Sequence, residues 1–133
     1  MTNRLVSVAI AVVAMGLYVA SLFSEAWSIY GLDSGYQLTG LGCLFAPLQE
    51  PIHLLNPAWW ANWLFVGGLL ALCRNRRGIA SACGIAGLLL GVTCWLYCES
   101  AVRALICDFG SYSPHVGYWL WLGSMGALTL SSA

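Results

Sequence analysis

The chain has 133 residues, 60% of them hydrophobic and only 8% charged, with a mean hydropathy of +0.80. Soluble domains carry about a quarter charged residues, so this composition falls outside their range. Five arginines, no lysine and five acids cancel to zero net charge, which excludes both a basic nucleic-acid binder and a highly charged disordered chain.

The class that remains is an all-α membrane protein, one domain over residues 1–133, built as a four-transmembrane-helix bundle. The first apolar run, Leu5 to Phe23, is long enough as a helix to cross a hydrocarbon core of roughly 30 Å. It is also longer than the roughly 7–15 apolar residues of a cleaved signal, so it is expected to stay as a span. The second span, 57–73, opens on Asn56-Pro57, where Asn can cap and Pro suits the first turn, and stops at Arg74-Asn75-Arg76-Arg77. The third covers about 79–97 and the fourth, a short one, about 116–131. The connections are a first loop at 24–56, a tight loop at 74–78 and a loop at 98–115.

Arg74, Arg76 and Arg77 crowd the tight loop and Arg4 precedes the first span. Arginine is retained on the cytoplasmic side, so this loop and both termini are expected there, and the two longer loops outside. All five acids (Glu25, Asp33, Glu50, Glu99 and Asp108) then fall on the outer side. The tryptophans, at Trp27, Trp59, Trp60, Trp63, Trp95, Trp119 and Trp121, lie near the outer ends of spans. Indole favours the interface, where its ring is apolar and its N–H still finds an acceptor. A belt of this kind serves for anchoring, and some of its members can also line a cleft for a partner or lipid.

The first outer loop is unusually apolar and is broken by Gly31, Gly35, Gly40, Gly42, Pro47 and Pro51. Between the breaks, Tyr36 to Phe45 reads as a short interfacial helix covering the bundle, or as an element that docks a partner. Candidate docking residues on this face are Trp27, Tyr36, Trp59, Trp60, Glu99, Arg103 and Trp119, with Glu99 and Arg103 spaced as an i,i+4 pair if the third helix continues. For helix packing, span three offers Gly84, Gly87 and Gly91, and span four offers Gly123; such small residues let membrane helices approach closely. A stripe left uncovered would support a homo-oligomer.

Six cysteines show no zinc spacing. Cys43 and Cys107 lie in the two outer loops and form the expected disulfide, with Cys98 a competing partner. The absence of a C-x-x-C, of HExxH, of a Ser/His/Asp arrangement and of a phosphate-binding glycine loop points away from an enzyme. No Asp, Glu, Arg, Lys or His lies in mid-span, which argues against a proton-coupled exporter. His53 and His115 have acids nearby in sequence but no ligand spacing, so neither metal nor cofactor is expected.

The closing stretch Gly117-Tyr118-Trp119-Leu120-Trp121-Leu122 resembles the last span of small uncharacterised four-span bacterial inner-membrane proteins, as do Gly35-Tyr36-x-Leu38-x-Gly40 and Asn56-Pro57. Pro57-Ala58-Trp59-Trp60 departs from the more aliphatic form of that motif. The resemblance implies a bacterial inner-membrane setting and carries no activity. The function expected is that of a non-enzymatic interaction protein or accessory subunit. It would dock a membrane or periplasmic protein through its outer aromatic face, for instance as an immunity or exclusion factor. A small homo-oligomeric transporter or channel is the alternative, with Ser81, Thr93 and Ser124 as its span-embedded hydroxyls.

Overall fold

A computed structural model describes residues 2–30, 36–49, 57–106 and 111–130. Helix α1 (Thr2–Phe23) leads directly into strand β1 (Glu25–Tyr30). Strand β2 (Tyr36–Thr39) then runs into α2 (Gly40–Gln49), and the antiparallel pair α3 (Pro57–Cys73) and α4 (Arg77–Ile106) follows. Strand β3 (Ser111–Pro114) and α5 (Val116–Thr129) complete the chain.

The fold is mostly helical, as its long apolar runs dictate, but not all-α. Three short antiparallel strands form a sheet in the order β2-β1-β3, which corrects the reading of 24–56 and 98–115 as loops. Helix α4 also continues beyond the expected end at 97, as far as Ile106. A bulge between Glu25 and Trp27, where two residues of β1 face one step of β2, bends the central strand as it leaves α1. Pro114 ends β3, an edge strand, where the missing N–H costs no ladder bond.

The α3–α4 turn follows from its residues. Asn75 takes the left-handed conformation (φ 58°), which Asn tolerates better than other non-glycine residues. The Asn75 N–H donates to the Leu72 carbonyl at 2.9 Å and the Arg76 N–H to the Ala71 carbonyl at 2.8 Å. This is the paired 5→2 and 6→1 pattern that closes a helix C-terminus. The arginines are therefore held on a rigid bend at the end of the bundle opposite the sheet.

Burial in the bundle is inverted relative to a soluble protein. On α1 the buried positions are Ser7, Ala14 and Ser21, one every seventh residue, while Leu5, Val6, Val8, Val12, Val13, Val19 and Phe23 face outward. Among the described side chains of α4 the buried residues are Ala80, Ser81, Gly84, Gly87 and Gly91, and Ile79, Ile85, Leu89 and Val92 are exposed. The interior is built by small residues that bring backbones together, with Phe65, Met125 and Leu128 filling the space between. Among the described residues one helix, Arg4–Phe23, is long and apolar enough to cross a membrane; Trp59–Cys73 and Arg77–Thr93 are shorter apolar helices.

Helix α5 is the hub: it packs along α1 on one side and α4 on the other, and carries β1 on its first turns. A Cβ on Gly84 would stand 2.7 Å from the Thr129 nitrogen and 2.8 Å from the Met125 carbonyl oxygen. One on Gly87 would meet the Met125 sulfur at 2.8 Å, and one on Gly91 would meet Leu122 Cδ2 at 2.5 Å. Gly123 is different: its added Cβ would make only ordinary contact with Leu17, at 3.7 Å. Ser81 ties the same two helices by donating its hydroxyl to the Thr129 carbonyl (2.9 Å).

Candidate functional site

The sheet-capped end is assembled on the α1–β1 junction. Gly40, at the start of α2, donates its N–H to the Ser24 carbonyl at 3.1 Å. Gly117, in the first turn of α5, lies so close that a Cβ there would be 2.8 Å from the Glu25 carbonyl oxygen and 2.9 Å from that of Ser24. Between β3 and α5, His115 donates its backbone N–H to the Ala26 carbonyl (2.9 Å), and its Nε2 is hydrogen-bonded to Ser28 Oγ at 2.6 Å. Because its side chain is turned to β1, it does not cap the helix it precedes.

Trp27 belongs to this core rather than to the surface. Its ring lies 5.0 Å from that of Tyr118, inside a cluster with Ala26 and Leu122. Tyr118 is 3% exposed and resolves its one polar atom by donating its hydroxyl to the Gly91 carbonyl (2.9 Å), which tethers α5 to α4.

A second polar node lies one level further into the bundle. Asn62 Oδ1 accepts from the Tyr18 hydroxyl (3.0 Å) and from the Trp121 indole N–H (2.9 Å), joining α1, α3 and α5 on one atom. Its amide nitrogen donates to the Trp59 carbonyl at 3.1 Å, and Tyr18 stacks on Phe65 with ring centroids 4.3 Å apart. Trp59 in turn donates its indole N–H to the Leu44 carbonyl (3.0 Å), holding α2 against α3. Sequence reasoning confined to ionisable groups passed over this node. The signal was there in Asn62, an amide inside an otherwise apolar helix, which needs partners when removed from water.

The outward aromatics are Trp60, Trp63 and Trp119, at 50%, 57% and 53% exposure. Trp60 and Trp63 both meet Trp59 edge-on, at 5.2 and 5.9 Å, so the buried-side contacts of Trp59 set the direction of the pair. Trp119 stands edge-on to the buried Tyr118 at 5.3 Å. These three rings are therefore exposed but mounted on fixed neighbours.

Tyr36 opens β2, and Glu99 and Arg103 fall within the helical backbone of α4 at their i,i+4 spacing; their side chains lie outside the described residues. Cys43 is half-buried on α2 beside the Trp27–Tyr118 cluster, and Cys107, with the proposed bridge, lies outside the described residues. Ser81, Thr93 and Ser124 each donate to a backbone carbonyl, Thr129, Leu90 and Trp121 respectively. Among the described residues no three His, Cys, Asp or Glu side chains converge. No protein-family model matches the chain, and no curated protein or solved structure matches it either.

Proposed function

We propose that this chain is a non-enzymatic integral membrane protein of the bacterial inner membrane that docks a membrane or periplasmic protein through its sheet-capped end. Helices α1, α3, α4 and α5 cross the bilayer in this reading, with the arginine turn and both termini on the cytoplasmic side. The inverted burial carries it: the buried positions described on α1 and α4 are serine, alanine and glycine, while most of the valines and several leucines and isoleucines face out. In water those exposed side chains would oppose folding; in lipid they cost nothing, and close backbone contact becomes the source of helix association. With 14 residues α5 reaches about 21 Å, so the bilayer thins beside it or its start lies at headgroup level.

Docking is supported by the rigid mounting of Trp60, Trp63 and Trp119. A ring already fixed by its neighbours loses little entropy when a partner covers it, which is the property of aromatic hot spots. The test is purification from native membranes in a mild detergent, with mass spectrometry of what stays bound. A near-stoichiometric partner is expected, reduced at least about tenfold by Trp60→Ala with Trp119→Ala, each hot-spot ring contributing on the order of 1–2 kcal/mol. A homo-oligomer holding only lipid would refute the docking reading and favour a transporter.

A further inference from the structure

We propose that the cleft between the start of α1 and the end of α3 binds the phosphate of an anionic phospholipid between Arg4 and Arg74, with an acyl chain along Val8 and Ala11. This inference rests on the membrane reading above. Helix α1 lies only lightly against α3, and the gap at the arginine end is a cleft of about 380 Å³. Arg4, Val8 and Ala11 line it from α1, Leu72 from α3 and Arg74 from the turn.

Charge selects the ligand. Four of the five arginines, Arg4, Arg74, Arg76 and Arg77, belong to this end, and all five acids lie in residues 25–50 and 99–108. A cation on each wall, with no Asp or Glu in the adjoining segments, attracts an anion, and guanidinium matches phosphate oxygens geometrically. The apolar wall selects the source. Val8 and Ala11 continue onto the outward face of α1 with Val12 and Met15, giving a hydrocarbon track that leads away from the charges. A free phosphate makes no use of such a track, whereas a phospholipid fills both parts at once. Basic pockets between membrane helices at the cytoplasmic level bind anionic headgroups on this logic.

The test is native mass spectrometry of the purified full chain in detergent with added phosphatidylglycerol or phosphatidylcholine of the same acyl chains. One phosphatidylglycerol is expected to be retained in preference to phosphatidylcholine. Arg4→Gln with Arg74→Gln should weaken it about 25-fold, roughly fivefold for each arginine near the surface. The Arg4→Lys, Arg74→Lys pair should keep most of the binding, and Arg76→Gln, outside the cleft, should change it less than about twofold. Equal retention of the two lipids, or an Arg76→Gln loss as large as that of the double variant, overturns the proposal. Displacement by millimolar inorganic phosphate would make this a free-anion site and overturn the lipid assignment. An alkaline carbonate wash of native membranes separates the two failures: release of the protein sinks the membrane reading itself, while retention without lipid selectivity sinks only the cleft.

Discussion

Adding one methyl group at Gly84 tests the contact between α4 and α5. The new Cβ would lie 2.7 Å from the Thr129 nitrogen, 2.8 Å from the Met125 oxygen and 2.9 Å from Leu128 Cβ. Two of these atoms are backbone and the third is anchored to it, so no rotamer change makes room and α5 must move outward. Overpacking of this kind costs about 1–3 kcal/mol, against a gain of about 0.8–1 kcal/mol from replacing Gly by Ala inside a helix. With two of the contacts to backbone and all below 3 Å, Gly84→Ala belongs to the upper half of that range, a net loss of about 1–2 kcal/mol. Gly87→Ala meets only the flexible Met125 side chain and should be close to neutral. Gly16→Ala and Gly126→Ala meet nothing within 4 Å and should stabilise by about 0.5–1 kcal/mol. Melting in detergent micelles gives the order, with Gly84→Ala and Gly126→Ala separated by about 6–12 °C at about 4 °C per kcal/mol. If Gly84→Ala melts with or above Gly126→Ala, the α4–α5 approach is not what brings these helices together.

Asn62→Leu removes the acceptor shared by Tyr18 and Trp121 and should destabilise by about 1–2 kcal/mol. In a double-mutant cycle with Trp121→Phe the coupling should be about 0.6–1.7 kcal/mol; additive losses would mean that the indole–amide bond does not hold α3 to α5. Gly117→Ala presses a methyl group onto the Ser24 and Glu25 carbonyls and should cost about 1–3 kcal/mol. Amide exchange is then expected to rise across residues 25–30 while residues 80–90 stay protected, and uniform protection in both segments would contradict the seating of α5 on β1.

The long helices were legible because each is a sustained apolar run with a stop signal. Pro57 opens α3, and the arginines after Cys73 end it. The sheet was not. Tyr36–Thr39 and Ser111–Pro114 are four residues each, too short for an alternation to register, and β1 pairs with residues far along the chain. Trp27 shows the limit of residue type: indole reads as a surface aromatic, yet strand pairing on both sides of β1 and the seat of α5 turn it inward. The glycines of α4 were legible as a small-residue stripe, but only the partner helix distinguishes Gly84, backed by backbone, from Gly87, backed by a side chain. For the candidate site, composition identified its aromatic character, while the choice of which rings point out depends on contacts such as the Trp59–Leu44 bond.

The central position of β1 also imposes an order of assembly. Its neighbour β2 follows almost at once, but its other neighbour, β3, comes only after α4 has been made, and the Ser28–His115 bond spans 87 residues. During synthesis one side of β1 therefore stays bare through the making of α2, α3 and α4, with its backbone groups open to a strand from another chain. Arrival of β3 and α5 covers that edge and, through Gly117, the Ser24 and Glu25 carbonyls in the same step. A nascent chain stalled before residue 111 leaves one edge of the central strand open; in the finished sheet only the outer edges of β2 and β3 remain. Closure of the cap thus marks completion of the whole bundle, because the central strand loses its open edge only once the last strand and helix have been made.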